Sequence, residues 1–113
     1  MTKVKMDWTK MQLSAEGHAG GMPAGENIIC AGISAVTQAL LNWLMDQEAK
    51  GFIQLAWKMD EKRGVLRIRA KPYAGHYTAV TACYQMAMTG LKAIRENYKD
   101  NIEIQEVYDS GNT

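Results

Sequence analysis

Cysteine, histidine and proline are all scarce in this chain. Its 113 residues include two cysteines, Cys30 and Cys83, two histidines and two prolines. Two cysteines do not form the disulfide framework of a small secreted domain. Without a CxxC or HxxxH pair, a zinc site would need ligands that meet only in the fold. We therefore expect free thiols, no bound metal and no cofactor.

Charge of one sign and long apolar runs are also lacking. The formal net charge of +1 gives no overall attraction to nucleic acid or to a membrane surface. No uninterrupted apolar run approaches the roughly 20 residues that span a bilayer. The first ten residues, MTKVKMDWTK, lack the apolar core of a signal peptide. These absences predict a cytoplasmic protein without a membrane partner, and they argue against a nucleic-acid partner.

Apolar residues make up 47% of the chain, the proportion found in ordinary globular domains. A chain of 113 residues can bury one core, so we predict a single domain over residues 1–113. Alternating apolar and polar residues predict strands, whereas apolar residues at steps of three and four predict helices. These patterns give strands at 3–8 and 11–16, a helix at 28–49, strands at 53–59 and 66–70, a helix at 77–98 and a strand at 102–104.

The predicted order of elements is therefore ββαββαβ. Each helix has one apolar face that must be buried, and a mostly antiparallel sheet is the simplest surface to cover it. The fold class that follows is α+β, with two helices packed on a mostly antiparallel sheet.

A glycine-rich segment, GHAGGMPAGENIIC at 17–30, separates the first hairpin from the first helix. Glycine adopts backbone conformations closed to other residues and lets another chain approach closely. The segment lacks the Gly-Lys-Ser/Thr end of a phosphate-binding loop and the G-x-G-x-x-G spacing of a dinucleotide-binding turn. Phosphate binding is therefore disfavoured, and the histidine and cysteine near its two ends become the features to explain.

His18 and Cys30 are the residue types of a base and a nucleophile. With Asn27 as the N-cap, Cys30 would lie in the first helical turn, where the helix dipole favours a thiolate. Backbone amides there could also bind an oxyanion. His18 could then accept the thiol proton and deliver it to a leaving amine. Because a free cysteine more often acts as a small buried hydrophobe, the residues alone leave both interpretations open.

The remaining candidate residues favour structural roles. Cys83 lies in mid-helix among small and apolar residues, which predicts an inert thiol. His76 precedes the second helix, where we expect an exposed or capping side chain. Ser34, one turn beyond Cys30, either contacts the site or bonds back to a helix carbonyl. The outer face of the second hairpin is basic and is interpreted as a solvated surface. It comprises Lys58, Arg67, Arg69 and Lys71.

Three segments in order resemble the ribosomal-processing cysteine protease (Prp) family: GHAG at 17–20, GENIICAGISAVTQ at 25–38 and GLKAIRENYKDNIEIQE at 90–106. The resemblance implies an endopeptidase that removes a short N-terminal extension from a large-subunit ribosomal protein. It also implies a homodimer that acts on a peptide or protein substrate. By position, Cys30 would be the nucleophile and His18 the general base and acid. The loop and supporting residues would be Gly17, Ala19, Gly20, Gly21, Gly25, Asn27 and Ser34.

The chain departs from the family pattern at three loop positions. Asn27 stands where the family usually has Asp, and Gly21 and Ala24 stand where aromatic residues are common. The first change removes a charge that could orient the histidine, and the others suggest a looser closure over substrate. Two alternatives stay open at this stage. One is a phage-type protease that matures a capsid or scaffold protein, and the other is a non-catalytic ribosome-associated module whose basic face contacts RNA.

Overall fold

Two helices cover one face of a five-stranded sheet, which confirms the predicted α+β class. The computed structural model describes residues 1–17 and 24–108, and of residues 24–27 it describes the backbone alone. The elements in chain order are β1 (Thr2–Asp7), β2 (Gln12–Glu16), α1 (Ala24–Ala49), β3 (Ile53–Asp60), β4 (Val65–Pro72), α2 (Tyr77–Asn97) and β5 (Ile102–Val107).

The strands lie in the order β3-β4-β2-β1-β5. All neighbours are antiparallel except β1 and β5, which run parallel from the Thr2–Ile102 pair to the Asp7–Val107 pair. The alternation in the sequence predicts each strand but not this order, because alternation is a local signal and pairing joins distant residues. The mostly antiparallel arrangement is confirmed, and β3 and β5 form the two edges.

The core lies between the helices and one face of the sheet. Burial alternates along β1, where Val4 and Met6 are buried and Lys3 and Lys5 are exposed. The helices cover the apolar face, and the Tyr84 hydroxyl donates to the Ile68 carbonyl at 3.2 Å. The buried helix residues include Ile29, Ile33, Leu40 and Leu44 from α1 and Val80, Tyr84, Met88 and Leu91 from α2.

The first helix begins at Ala24, four residues before the predicted start at residue 28. Asn27 therefore lies inside α1, and the prediction that it caps the helix is wrong. Ala and Glu have high helix propensities, so Ala24 and Glu26 favour a helix that begins before Asn27.

The end of α1 is as predicted, with Gly51 in the left-handed region at φ 79°. The Gly51 amide donates to the Glu48 carbonyl at 2.9 Å, and the Phe52 amide donates to the Gln47 carbonyl at 3.0 Å. These two bonds form a Schellman motif, which turns the chain from α1 into β3.

By length and composition, the part of α1 from Ile28 to Ala49 could cross a membrane, with a mean hydropathy of 1.6. Sequence inspection missed this because charged and polar residues interrupt the apolar runs. In the fold, Ile33, Leu40 and Leu44 of this segment are buried in the core. Packing in the core thus accounts for part of the apolar character of α1, since 33% of the apolar segment is buried.

Candidate active site

A cleft of about 330 Å³ opens between α1, the end of β2 and the β3–β4 hairpin. Cys30, Ser34 and Gln38 line its helical side. Because these residues are four apart, they lie along one side of the helix. The opposite wall includes Met59 and Leu66, which occupy paired positions on the hairpin. The cleft is thus a groove with two different walls. One wall is apolar, and the other carries a row of polar side chains that begins with the Cys30 thiol.

Cys30 is a free, half-buried cysteine. Counting from Ala24, it is the seventh residue of α1 and lies in the second turn, so the prediction of a first-turn cysteine is wrong. In a helix the Cα–Cβ bond tilts towards the N-terminus, which directs the side chain back over the first turn. The first four amides of a helix have no intrahelical partner. The thiol therefore lines the cleft and leans towards the first turn of α1, whose amides have no partner within the helix.

Gly17 forms the end of the cleft nearest β2. Its φ of 141° favours glycine, and a Cβ atom there would lie 2.7 Å from the Cα atom of Thr2 and also meet the Met1 carbonyl oxygen. Its amide donates to the Gly64 carbonyl at 3.0 Å. Close packing on the β1 end and a bond to the β3–β4 turn thus fix the chain where it leaves β2.

The residue after Gly17 in the chain is His18. His18, Ala19, Gly20 and Gly21 lie outside the described residues. For Gly25 and Asn27 the structure describes the helical backbone only. Of the predicted site residues, the structure thus brings Gly17, Cys30 and Ser34 together in one cleft.

Ser34 is exposed and lines the cleft one turn beyond Cys30, as one of its two sequence interpretations predicts. The bond back to the helix is made instead by Thr37, whose hydroxyl donates to the Ile33 carbonyl at 3.0 Å. Sequence reasoning missed Thr37 and Gln38, which also line the cleft. Continuing the four-residue step from Cys30 through Ser34 would have identified Gln38.

Sequence reasoning also missed the hairpin wall of the cleft. Asp60 lines the cleft and accepts a hydrogen bond at 3.1 Å from the Arg63 amide, which holds the turn between β3 and β4. Met59 is 39% exposed, so its side chain remains available to a bound molecule. No motif in this hairpin indicates a site. The hairpin lies beside α1 because of the order of the strands in the sheet, which local sequence patterns do not predict.

Cys83 and His76 do not line the Cys30 cleft. Cys83 is half-buried on α2 and packs against the core, and burial raises the pKa of its thiol. His76 is the N-cap residue of α2, as one of its two sequence interpretations predicts, but it forms no side-chain capping bond. Its half-buried ring stacks on Phe52 with ring centroids 4.0 Å apart. Among the described side chains, those of residues 1–17 and 28–108, no three His, Cys, Asp or Glu are grouped to hold a metal ion.

The sequence model of the cysteine protease Prp family matches residues 1–103. The chain belongs to this family. The match covers both the glycine-rich segment and the cysteine-bearing helix, which confirms the resemblance proposed from the sequence. A search of the curated proteins gives no match.

Solved structures of family members share the fold. The essential ribosomal processing protease Prp from S. aureus, in complex with a substrate peptide, superposes with a TM-score of 0.76 at 22% identity, covering 94% of this chain and 99% of that one. The same protease with a covalently linked product peptide gives 0.75 at 23% identity, with coverage of 94% and 99%. SMU.848 from Streptococcus mutans gives 0.72 at 19% identity, with coverage of 96% and 93%.

Proposed function

We propose that the protein is a cysteine endopeptidase in which Cys30 is the nucleophile and His18 is the general base and acid. The observation that carries this proposal is that Cys30 and Gly17, the residue before His18, line the same cleft. A nucleophilic thiol needs access to substrate and a base within reach. The place of Cys30 in the cleft supports the first requirement, and the place of Gly17 in the same cleft supports the second.

In the proposed reaction, the His18 imidazole accepts the thiol proton and the thiolate attacks the scissile carbonyl carbon. The resulting oxyanion is stabilised by amides of the first turn of α1, towards which the Cys30 side chain leans. Collapse of this intermediate breaks the C–N bond, and His18 donates its proton to the departing amine. Water, deprotonated by His18, then hydrolyses the thioester and restores the thiol.

The proposed substrate is the N-terminal extension of a large-subunit ribosomal protein. Membership of the Prp family supports this choice, as does the shape of the cleft. The groove runs along α1 from Cys30 to Gln38, so an extended peptide could lie between the polar row and the apolar wall of Met59 and Leu66. The protein would act in the cytoplasm, where ribosomal proteins are made.

The protein is further proposed to be a homodimer. Large apolar side chains are exposed next to the core, including Trp57 at 46% and Met45 at 44%. Pairing of two copies would remove such side chains from water. Sedimentation or light scattering of the purified protein would test the dimer independently of activity.

The test of function is cleavage of a ribosomal protein precursor by the purified protein, with the new N-terminus identified by mass spectrometry. We expect a single cut after the extension by the wild type and none by Cys30→Ala. A capsid or scaffold precursor serves as the second substrate. Cleavage of that precursor alone would assign the phage-type activity, and cleavage of neither by a folded wild type would leave a non-catalytic module.

A further inference from the structure

The sheet face opposite the helices has a concentration of positive charge near its β3 edge. Three consecutive cross-strand pairs on this face are Gln54–Lys71, Ala56–Arg69 and Lys58–Arg67. Two further pairings extend the last of these rows through Ser14 to Lys5 on β1. We use the term basic face for the cations at these positions, which are Lys5, Lys58, Arg67, Arg69 and Lys71.

The cations of the basic face are open to solvent. All five side chains are exposed. The ion pairs of Lys50 with Asp46 and of Lys92 with Glu106 involve none of them. Asp7 lies in the row of Arg69, separated from it by Gln12, and is 9% exposed. It accepts a hydrogen bond from the Lys10 amide at 3.1 Å, which directs the carboxylate towards the local turn.

Three other acidic residues on this sheet face lie towards the other end of the strands. Glu16 and Glu103 both pair with Lys3, in the row beyond Lys5, and Asp60 pairs with Val65 in the same row. Positive charge is thus concentrated on β3 and β4 between Lys58 and Lys71, and three carboxylates lie in the row of Lys3. A net charge of +1 conceals this separation, because the sum over a chain contains no information about which charges share a surface.

We propose that the basic face binds the phosphate backbone of double-stranded RNA. Along β4 the cations occur at every second residue, a spacing of about 6.6 Å, and the row from Lys58 to Lys5 crosses the sheet over roughly 14 Å. Such a two-dimensional array of cations complements the regular phosphates of a duplex. The strand positions on this face carry no aromatic ring, so the stacking platform that single-stranded RNA requires is missing.

This inference is independent of the proposed peptidase activity. None of the five cations lines the Cys30 cleft, which opens on the helix side of the sheet. RNA binding and peptide cleavage are therefore separable by substitution. Contacts to phosphate without base contacts position a protein on a duplex but do not read its sequence.

The test uses an end-labelled RNA duplex of about 20 base pairs, slightly longer than the roughly 16 that a double-stranded RNA-binding domain spans. Binding is followed by fluorescence anisotropy between about 25 and 200 mM salt. The variant Lys58→Gln/Arg67→Gln/Arg69→Gln removes three charges from the basic face. The control Lys50→Gln/Lys62→Gln/Lys99→Gln removes the same charge from exposed lysines elsewhere.

We expect the basic-face variant to bind at least tenfold more weakly than the control at low salt. We also expect the slope of log K against log salt to fall by about two units or more, because three phosphate contacts are lost. Both variants should cleave substrate as the wild type does.

Three results would overturn the proposal: no duplex binding by the wild type at the lowest salt, equal losses in the two variants, or tighter binding of a single strand of equal charge. Displacement of the duplex by polyglutamate at equal charge concentration would instead assign the face to an acidic protein.

Discussion

The two cysteines of this protein are chemically identical and differ only in where the fold puts them. Both are free and half-buried, and each lies on a helix. Each is the seventh residue of its helix, counting from Ala24 in α1 and from Tyr77 in α2. Cys30 lines a cleft that Gly17 also lines. Cys83 packs against the core, where burial raises the pKa of its thiol. Neither the degree of burial nor the position along the helix therefore distinguishes the two thiols.

What does distinguish them is the surface on which each thiol lies. Cys30 lines the cleft between α1 and the β3–β4 hairpin, whereas Cys83 packs against the core and does not line that cleft. A reactive thiol needs access to substrate. We therefore expect changes around the cleft to affect Cys30 and to leave Cys83 unchanged.

The largest effect is expected when each thiol is removed in turn. Cys30→Ala should lower kcat/KM for the precursor peptide by about 10³-fold or more, because no other group can form the thioester. Cys83→Ala should leave kcat/KM within about twofold. Cleavage of a fluorogenic peptide that contains the extension measures both. Similar losses in the two variants, with both folded, would contradict the assignment of Cys30.

Gly17→Ala should damage the Cys30 cleft while leaving the surroundings of Cys83 intact. Its Cβ atom would collide with the backbone of Thr2, and its φ of 141° is strained for alanine. We expect a loss of stability of about 1–3 kcal/mol and a larger loss of activity than stability alone explains. Urea unfolding and cleavage at a temperature where the variant is folded measure the two effects.

Gly75→Ala is the matched control for this substitution. Gly75 has a φ of 91°, but no atom lies within 4 Å of its hypothetical Cβ atom. Its variant should lose stability through backbone strain alone and retain wild-type kcat/KM. Equal losses of activity in the two variants would show that the collision at Gly17 does not matter for the site.

The alkylation rates of the two thiols should differ at neutral pH. We expect iodoacetamide to modify Cys30 about tenfold faster than Cys83, since the raised pKa of Cys83 lowers its thiolate fraction. His18→Ala should slow the reaction of Cys30 and shift its rate profile to higher pH, with no change at Cys83. Mass spectrometry of tryptic peptides reports each site separately. A pH profile of the Cys30 alkylation rate that is unchanged in His18→Ala would contradict the proposed pairing of His18 with Cys30.

The smallest expected effect concerns stability at alkaline pH. Burial raises the pKa of Cys83, so the folded protein holds this proton more tightly than the unfolded chain does. The resulting stabilisation is fully present below the unfolded pKa of about 8.5 and is lost as pH rises through the raised value. Cys83→Ala should therefore show a smaller fall in Tm between about pH 8 and 10, by about 1–2 °C. Parallel curves for the two proteins would contradict this.

Local patterns in the sequence predicted the elements well, because burial on one face imposes alternation in strands and three-to-four spacing in helices. The apolar residues of β1, Val4 and Met6, are both buried. The start of α1 was mispredicted because Asn27 is both a good cap and a tolerable helix residue. The cleft wall at Met59 and Leu66 could not be predicted, since it depends on β4 pairing with β2.

The distribution of charge over the surface was also only partly predictable from the sequence. The sequence predicts a solvated basic hairpin, and its net charge argues against a nucleic-acid partner. The fold adds Lys5 to the same surface through Ser14 and moves Glu16 and Glu103 to the far row. Strand register decides which charged residues share a surface. The amino-acid composition contains no information about register.

The parallel pairing of β1 with β5 has a consequence for how the chain acquires its fold. The Thr2 amide donates to the Asn101 carbonyl at 2.9 Å, and the Trp8 indole donates to Glu106 at 2.9 Å. β1, the second strand from one edge of the sheet, therefore pairs with a strand about 100 residues later in the chain. Such non-local pairing slows folding. During synthesis, β1 and β2 emerge long before β5 does. The β1 edge stays open until β5 has left the ribosome, so the sheet cannot be completed before residues 102–107 have been translated.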